Sequence, residues 1–200
     1  MANTESSLTL ILGGARSGKS SYAEALAPKL GWPVCYVATA EALDDEMRAR
    51  VAVHRASRPH EWTTLEAPLK VGGALQSAPQ AEGVGVILLE CLTLLVSNVL
   101  LSMEGAGGPE PRELDANLAR LSVQAEVDAL LEARHRLNAH LIVVSNEVGL
   151  GLVPPYRLGR VYRDCLGWAN QALARLADRA ILMVAGLPVN LKELPLAWPD

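Results

Sequence analysis

The chain contains no phenylalanine, and its four tryptophans and four tyrosines leave few flat surfaces on which nucleic-acid bases can stack. Basic blocks are absent too: 18 Lys and Arg against 22 Asp and Glu give a net charge of −4. Without a basic stripe or interleaved aromatics, nucleic acid is not an expected partner. Cysteine is scarce. Cys35, Cys91 and Cys165 are odd in number, far apart and set in apolar or helical patterns, which fits packing thiols in a reducing compartment rather than a disulfide or zinc framework. No apolar run reaches the length of a membrane span, and Met1 to Ser7 holds no basic region followed by an apolar block. The expectation is a cytoplasmic protein with no membrane span.

What is present is more specific. With 200 residues, 50% of them apolar, the chain can bury a core of its own, and residues 1–200 read as one nucleotide-binding domain with 1–7 as a flexible leader. Gly13-Gly14-Ala15-Arg16-Ser17-Gly18-Lys19-Ser20 is a complete G-x-x-x-x-G-K-S phosphate loop. It stands directly after the apolar run Leu8 to Leu12 and directly before a helix-like segment. A strand that turns into a helix through glycines brings backbone N–H groups to one point, where the helix N-terminus adds positive potential. In such a loop Lys19 reaches the β and γ phosphates of a nucleoside triphosphate and Ser20 holds Mg²⁺.

Strand-like and helix-like runs alternate along the whole sequence, the pattern of an α/β fold with a mostly parallel sheet covered on both faces. Strands are expected at Leu8 to Leu12, Val34 to Ala38, Trp62 to Leu65, Val84 to Leu89, Leu141 to Val144 and, last, Ala180 to Val184. Helices are expected at Ser20 to Leu30, from Asp44 or Asp45 to Ser57, and at Leu92 to Leu101, Leu114 to Leu137 and Arg157 to Leu176. Gly105 to Pro111 has the composition of a surface loop, and Asn146 to Pro155 that of an irregular connection.

In parallel open sheets the ligand lies at the carboxyl ends of the strands. Glu90 ends the buried run beginning at Val86, where phosphate-loop enzymes place an acidic residue for Mg²⁺; a carboxylate that caps the following helix is the other reading. His54 falls on the apolar side of its helix, with Arg55 and Arg58 just beyond it. By pattern it is first a half-buried packing residue, although a neutral imidazole can also attack phosphorus to give a phosphoramidate. Asn146 and Glu147, beside Gly149 and Gly151, stand where a loop can contact substrate or a neighbouring subunit, or simply turn. Arg157, Arg160, Arg163 and Asp164 have the spacing of an ordinary solvated helix face.

Taken together, these clusters resemble the bifunctional adenosylcobinamide kinase and adenosylcobinamide-phosphate guanylyltransferase family of cobalamin biosynthesis. The resemblance rests on Gly13 to Ser20, Ala38-Thr39-Ala40, Asp44 to Arg48, and His54 with Arg58-Pro59 and Trp62. It rests further on Leu88 to Thr93, Asn146 to Gly149 with Val153-Pro154, Arg163-Asp164, and Gly167 with Asn170-Gln171. It implies a P-loop, RecA-like three-layer sandwich with six parallel strands and one antiparallel, assembled as a homotrimer. It also implies a corrinoid substrate. One reaction moves the γ-phosphoryl group of ATP or GTP to the aminopropanol hydroxyl of adenosylcobinamide. The other moves GMP from GTP to that phosphate through a guanylyl-histidine. The histidine of that intermediate falls on His54. Nucleotide contacts fall on Gly13, Gly14, Ala15, Arg16, Ser17, Gly18, Lys19, Ser20, Ala38, Thr39, Ala40, Arg55, Ala56, Ser57, Arg58, Glu66 and Glu90, with Ser20 and Glu90 at the metal.

Two rival readings keep the phosphate loop. One is a small-molecule kinase with no covalent intermediate, in which His54 only packs. The other is a GTP-dependent switch, although nothing in the chain resembles the guanine-reading Asn-Lys-x-Asp element of such proteins.

Overall fold

Apolar runs become strands and segments of helical period become helices in a computed structural model that describes residues 6–40, 59–104 and 114–195. In chain order the elements are β1 (Leu8–Gly13), α1 (Lys19–Leu30), β2 (Val34–Ala38), β3 (Thr63–Glu66), α2 (Val71–Ser77), β4 (Val86–Glu90), α3 (Leu92–Glu104), α4 (Ala116–Leu137), β5 (His140–Val144), α5 (Arg157–Leu176), β6 (Arg179–Val184) and β7 (Leu187–Asn190). They build one sheet of order β3-β2-β4-β5-β1-β6-β7. Every pairing is parallel except β6 with β7. The α/β architecture expected from the sequence, with one antiparallel strand, is the one observed.

Alternation along the strands sorts the side chains into two cores. Leu8, Leu10, Leu12, Cys35, Val37, Ile87, Leu89, Leu141 and Val143 face one side, where α2, α3, α4 and α5 cover them. Ile11, Val34, Tyr36, Val86, Leu88, Ile142 and Val144 face the other, packed on Ala23 and Ala27 of α1. Because successive residues point to opposite faces, a strand buried on both sides must be apolar throughout. β1 is buried at all six positions, with Thr9 the one polar residue among them. Cys35, Cys91 and Cys165 are free thiols, Cys35 and Cys165 fully buried, in keeping with a packing role.

Two elements depart from the reading of the residues. The sheet does not end at Ala180 to Val184: β7 follows through a tight turn at Ala185 and Gly186, whose φ of 50° and 82° suit a two-residue hairpin. Pro188 hides this strand in the sequence, and it is tolerated because β7 is an edge. The second departure is α2. Its amides at Lys70 and Val71 donate to the carboxylate of Glu126 on α4, at 2.8 and 3.3 Å, so its cap comes from a distant helix that no local pattern announces. Gly72 lets the two helices meet, since a Cβ there would overlap the backbone carbonyl of Ala129. The helix expected from Asp44 or Asp45 to Ser57 and the loop Gly105 to Pro111 lie outside the described residues.

Candidate active site

The loop Gly13 to Ser20 crosses the carboxyl end of β1 and enters α1 at Lys19. Left-handed backbone at Arg16 (φ 56°) and Gly18 (φ 93°) bends it into a cradle. Gly13 has no room for a side chain, because a Cβ would lie 2.5 Å from the Met183 carbonyl and 2.6 Å from Ser17 Oγ. No side chain caps α1, and its first turn holds no acidic residue. The first amides of the helix are therefore left for an anion. Neighbouring strands fix the cradle: Glu147 N–H donates to the Gly13 carbonyl at 3.2 Å, and Gly186 N–H donates to that of Ser17 at 3.1 Å.

Lys19 is buried and folds back so that Nζ donates to the Gly14 carbonyl at 2.6 Å. Burial lowers its pKa, and the nearby Glu90 carboxylate acts in the opposite sense. Glu90 continues the parity of Val86 and Leu88, so its side chain points to the face that carries α1. There it meets the first turn of α1, where Ser20 Oγ donates to Glu90 Oε1 at 2.5 Å. The pair of residues expected at the metal is thus brought together by strand register and helix placement, although 70 positions separate them.

Thr39 takes another place. It is fully buried just past β2, and its hydroxyl accepts from Cys91 N–H at 2.7 Å and donates to the Cys91 carbonyl at 2.8 Å. With Thr39 N–H on the Glu90 carbonyl at 3.1 Å, this side chain locks the turn that carries Glu90. Asn98 of α3 adds to the clamp by donating to the Thr39 carbonyl at 2.8 Å and the Pro68 carbonyl at 3.0 Å. No motif singles out Asn98; its signal is the one amide side chain of a mostly apolar helix. Thr39→Val should leave the Cys91 N–H unpaired, while the Cys91 carbonyl keeps its bond from Leu95 N–H at 3.2 Å, and cost about 1–3 kcal/mol. Thermal unfolding should register that loss as a Tm fall of roughly 2–12 °C.

Ala38 and Ala40 flank Thr39 at the same edge, Ala38 buried and Ala40 half-buried. Glu66 ends β3 in register with Ala38 and is exposed. Four strand spacings separate β3 from β1, so Glu66 stands roughly 19 Å from the phosphate loop, a distance that suits the far end of a nucleotide rather than its phosphates. His54, Arg55, Ala56, Ser57 and Arg58 lie outside the described residues. Among the described residues, no three His, Cys, Asp or Glu side chains gather into a metal cage, and no helix is long and apolar enough to cross a membrane.

The loop after β5 is held as tightly as the phosphate loop. Ser145 Oγ donates to Asn170 Oδ1 at 2.7 Å, Asn170 Nδ2 donates to the Asn146 carbonyl at 3.1 Å, and Asn146 N–H donates to Thr93 Oγ1 at 2.9 Å. Asn170, one of the residues on which the resemblance rests, is a buried strut between α5 and this loop.

A family model described as cobinamide kinase / cobinamide phosphate guanyltransferase (CobU) matches residues 9–191. The bifunctional adenosylcobalamin biosynthesis protein CobP of Pseudomonas aeruginosa is 47% identical over 187 residues, covering 94% of this chain and 98% of that protein. The bifunctional adenosylcobalamin biosynthesis proteins CobU of Escherichia coli and Salmonella typhimurium are each 40% identical, covering 92% of this chain and 99% of theirs. With the loop Gly13 to Ser20 set between β1 and α1, a sheet of the expected topology and this similarity along almost the whole chain, the protein belongs to the cobinamide kinase / cobinamide phosphate guanyltransferase family.

Proposed function

We propose that this chain phosphorylates the aminopropanol hydroxyl of adenosylcobinamide with ATP or GTP. It then transfers GMP from GTP to the new phosphate, giving adenosylcobinamide-GDP and pyrophosphate. The observation that supports this most is the 2.5 Å contact of Ser20 and Glu90 at the uncapped start of α1. These two hard oxygens fit Mg²⁺, which takes few protein ligands and shares the phosphate oxygens of its nucleotide. Bound there, the ion would neutralise charge on the β and γ phosphates.

The protein's own groups divide the work. Loop amides from Gly14 to Ser20 hold the phosphates, and Lys19, released from the Gly14 carbonyl, balances charge as the γ-phosphoryl group leaves. That step needs positioning more than covalent help. Guanylyl transfer differs, because the α phosphorus must be attacked. A ring nitrogen of His54 forms a bond to that phosphorus as the bond to the β-phosphate oxygen breaks and pyrophosphate departs. An oxygen of adenosylcobinamide-phosphate then attacks the same phosphorus and the N–P bond breaks, returning the histidine. Arg55 and Arg58 are placed by sequence to offset the charge that develops. Ala38, Thr39, Ala40, Ala56, Ser57 and Glu66 complete the nucleotide site in this reading, with Thr39 acting through its hold on the Glu90 turn.

A homotrimer is part of the same proposal. Leu150, Leu152, Val153 and Tyr156, all exposed on one loop, and Leu187 on the edge strand are apolar surface that a neighbouring subunit would cover. Incubating the protein with adenosylcobinamide, Mg²⁺ and GTP should yield a corrinoid heavier by one phosphate and one GMP residue, with pyrophosphate released. An unchanged corrinoid mass would refute the reading.

A further inference from the structure

β5 lies between β1 and β4 in the sheet, so the loop leaving it emerges roughly 5 Å from the phosphate loop on one side and from the Glu90 strand on the other. Glu147 is the residue there that carries a charge. Its backbone is fastened to Gly13, and its Oε1 accepts from Gly149 N–H at 2.8 Å. One such bond uses one of the roughly four acceptor positions of a carboxylate, so most of the group remains for a ligand.

Glu147 lines a cleft of about 440 Å³ that also takes in Leu12, the last residue before the phosphate loop, and Arg163, Trp168 and Asn170 of α5. Arg163 is notable within it: its Nη1 is buried and has no hydrogen-bond partner among the described residues. A buried guanidinium nitrogen left unpaired is costly, and in a cleft beside a phosphate loop the natural remedy is an oxygen of a bound substrate. A carboxylate and a guanidinium with one unpaired nitrogen in the same cleft answer the two needs of a group that first reacts as an alcohol and then as a phosphate.

We infer that this cleft seats the hydroxyl-bearing arm of the acceptor, with Glu147 as its proton acceptor in the kinase step and Arg163 as the cation that holds the phosphate formed there. The inference rests on the proposed function and deepens it. In the first step the arm's oxygen forms a bond to the γ phosphorus, the bond between that phosphorus and the β–γ bridging oxygen breaks, and the hydroxyl proton passes to the Glu147 carboxylate. The nucleoside diphosphate leaves, and the proton is returned to water. The second step starts from an acceptor that is already anionic. It needs no base but needs a counter-charge, which Arg163 supplies.

This division of labour is directly testable. Glu147→Gln keeps an oxygen for Gly149 N–H and so preserves the loop, but it cannot accept a proton. Its kcat for phosphorylating adenosylcobinamide should fall about 100-fold relative to its kcat for guanylylating adenosylcobinamide-phosphate supplied ready-made. Arg163→Ala should raise KM for adenosylcobinamide-phosphate at least about tenfold, and Arg163→Lys should recover part of that loss. A kinase-to-guanylyl ratio in Glu147→Gln within threefold of wild type, whether both rates hold or both drop, overturns the assignment of Glu147. An unchanged KM in Arg163→Ala overturns that of Arg163. If the unaltered protein leaves adenosylcobinamide unphosphorylated, the proposed function itself fails, a result distinct from failure of the cleft alone.

Discussion

Replacing Lys19 with Met is expected to lower kcat/KM for phosphorylation of adenosylcobinamide by roughly 10³-fold. Guanylyl transfer should fall by a similar factor. Both steps move charge onto the outer phosphates: the kinase step onto the β–γ bridging oxygen, the guanylyl step onto departing pyrophosphate. One cation about 4 Å from such an oxygen, in surroundings of intermediate polarity, is worth on the order of 4 kcal/mol, which is the size of the loss. Met has nearly the length and volume of Lys, and among the described residues the one hydrogen bond of this side chain is that to the Gly14 carbonyl. Thermal unfolding should therefore change little while both rates collapse. A variant that keeps either activity within tenfold of wild type would show that the loop does not hold the nucleotide in the way described.

His54→Ala should separate the two reactions instead. Guanylyl transfer should fall on the order of 10⁴-fold or more, because the group that forms the covalent bond is gone. Phosphorylation should stay within about threefold, since an in-line displacement at the γ phosphorus calls on the loop, Lys19 and Glu90 but on no nucleophile from the protein. The check uses GTP labelled at the α phosphate. Wild type should retain label that is lost in acid and stable in alkali, as a phosphoramidate is, and His54→Ala should retain none. Equal loss of both activities would mean that His54 supports the fold or the common nucleotide site rather than one bond.

Much of this site was legible in the primary structure because its key parts are local. A phosphate loop is a run of consecutive residues, and the strand before it and the helix after it announce themselves through a mostly apolar run and a helical period. Glu90 was readable for a similar reason, since the end of a fully apolar strand in a parallel sheet is where ligands lie. What could not be read is what depends on distant partners. The cap of α2 is Glu126 on another helix, the tie that fixes Glu90 runs through Thr39 and Asn98 on separate elements, and Asn170 meets Ser145 across 25 positions. Thr39 illustrates the difference well. Resemblance marks it as a nucleotide residue, whereas its hydroxyl is taken up on both sides by Cys91, so its influence on the site passes through the backbone. The edge strand β7 escaped because Pro188 breaks the local signature of a strand while an edge position tolerates it. Arg163 had the spacing of a solvent-facing residue, yet its Nη1 is buried.

The most direct test of the account supplies GTP carrying one isotope at the α phosphate and a second at the γ phosphate, together with adenosylcobinamide, and isolates the corrinoid product. If this chain performs both transfers, the product carries both isotopes in equal amounts, the γ-derived phosphate next to the aminopropanol arm and the α-derived one next to guanosine. A product bearing the γ isotope alone would make the protein a kinase without nucleotidyl transfer and would contradict the account.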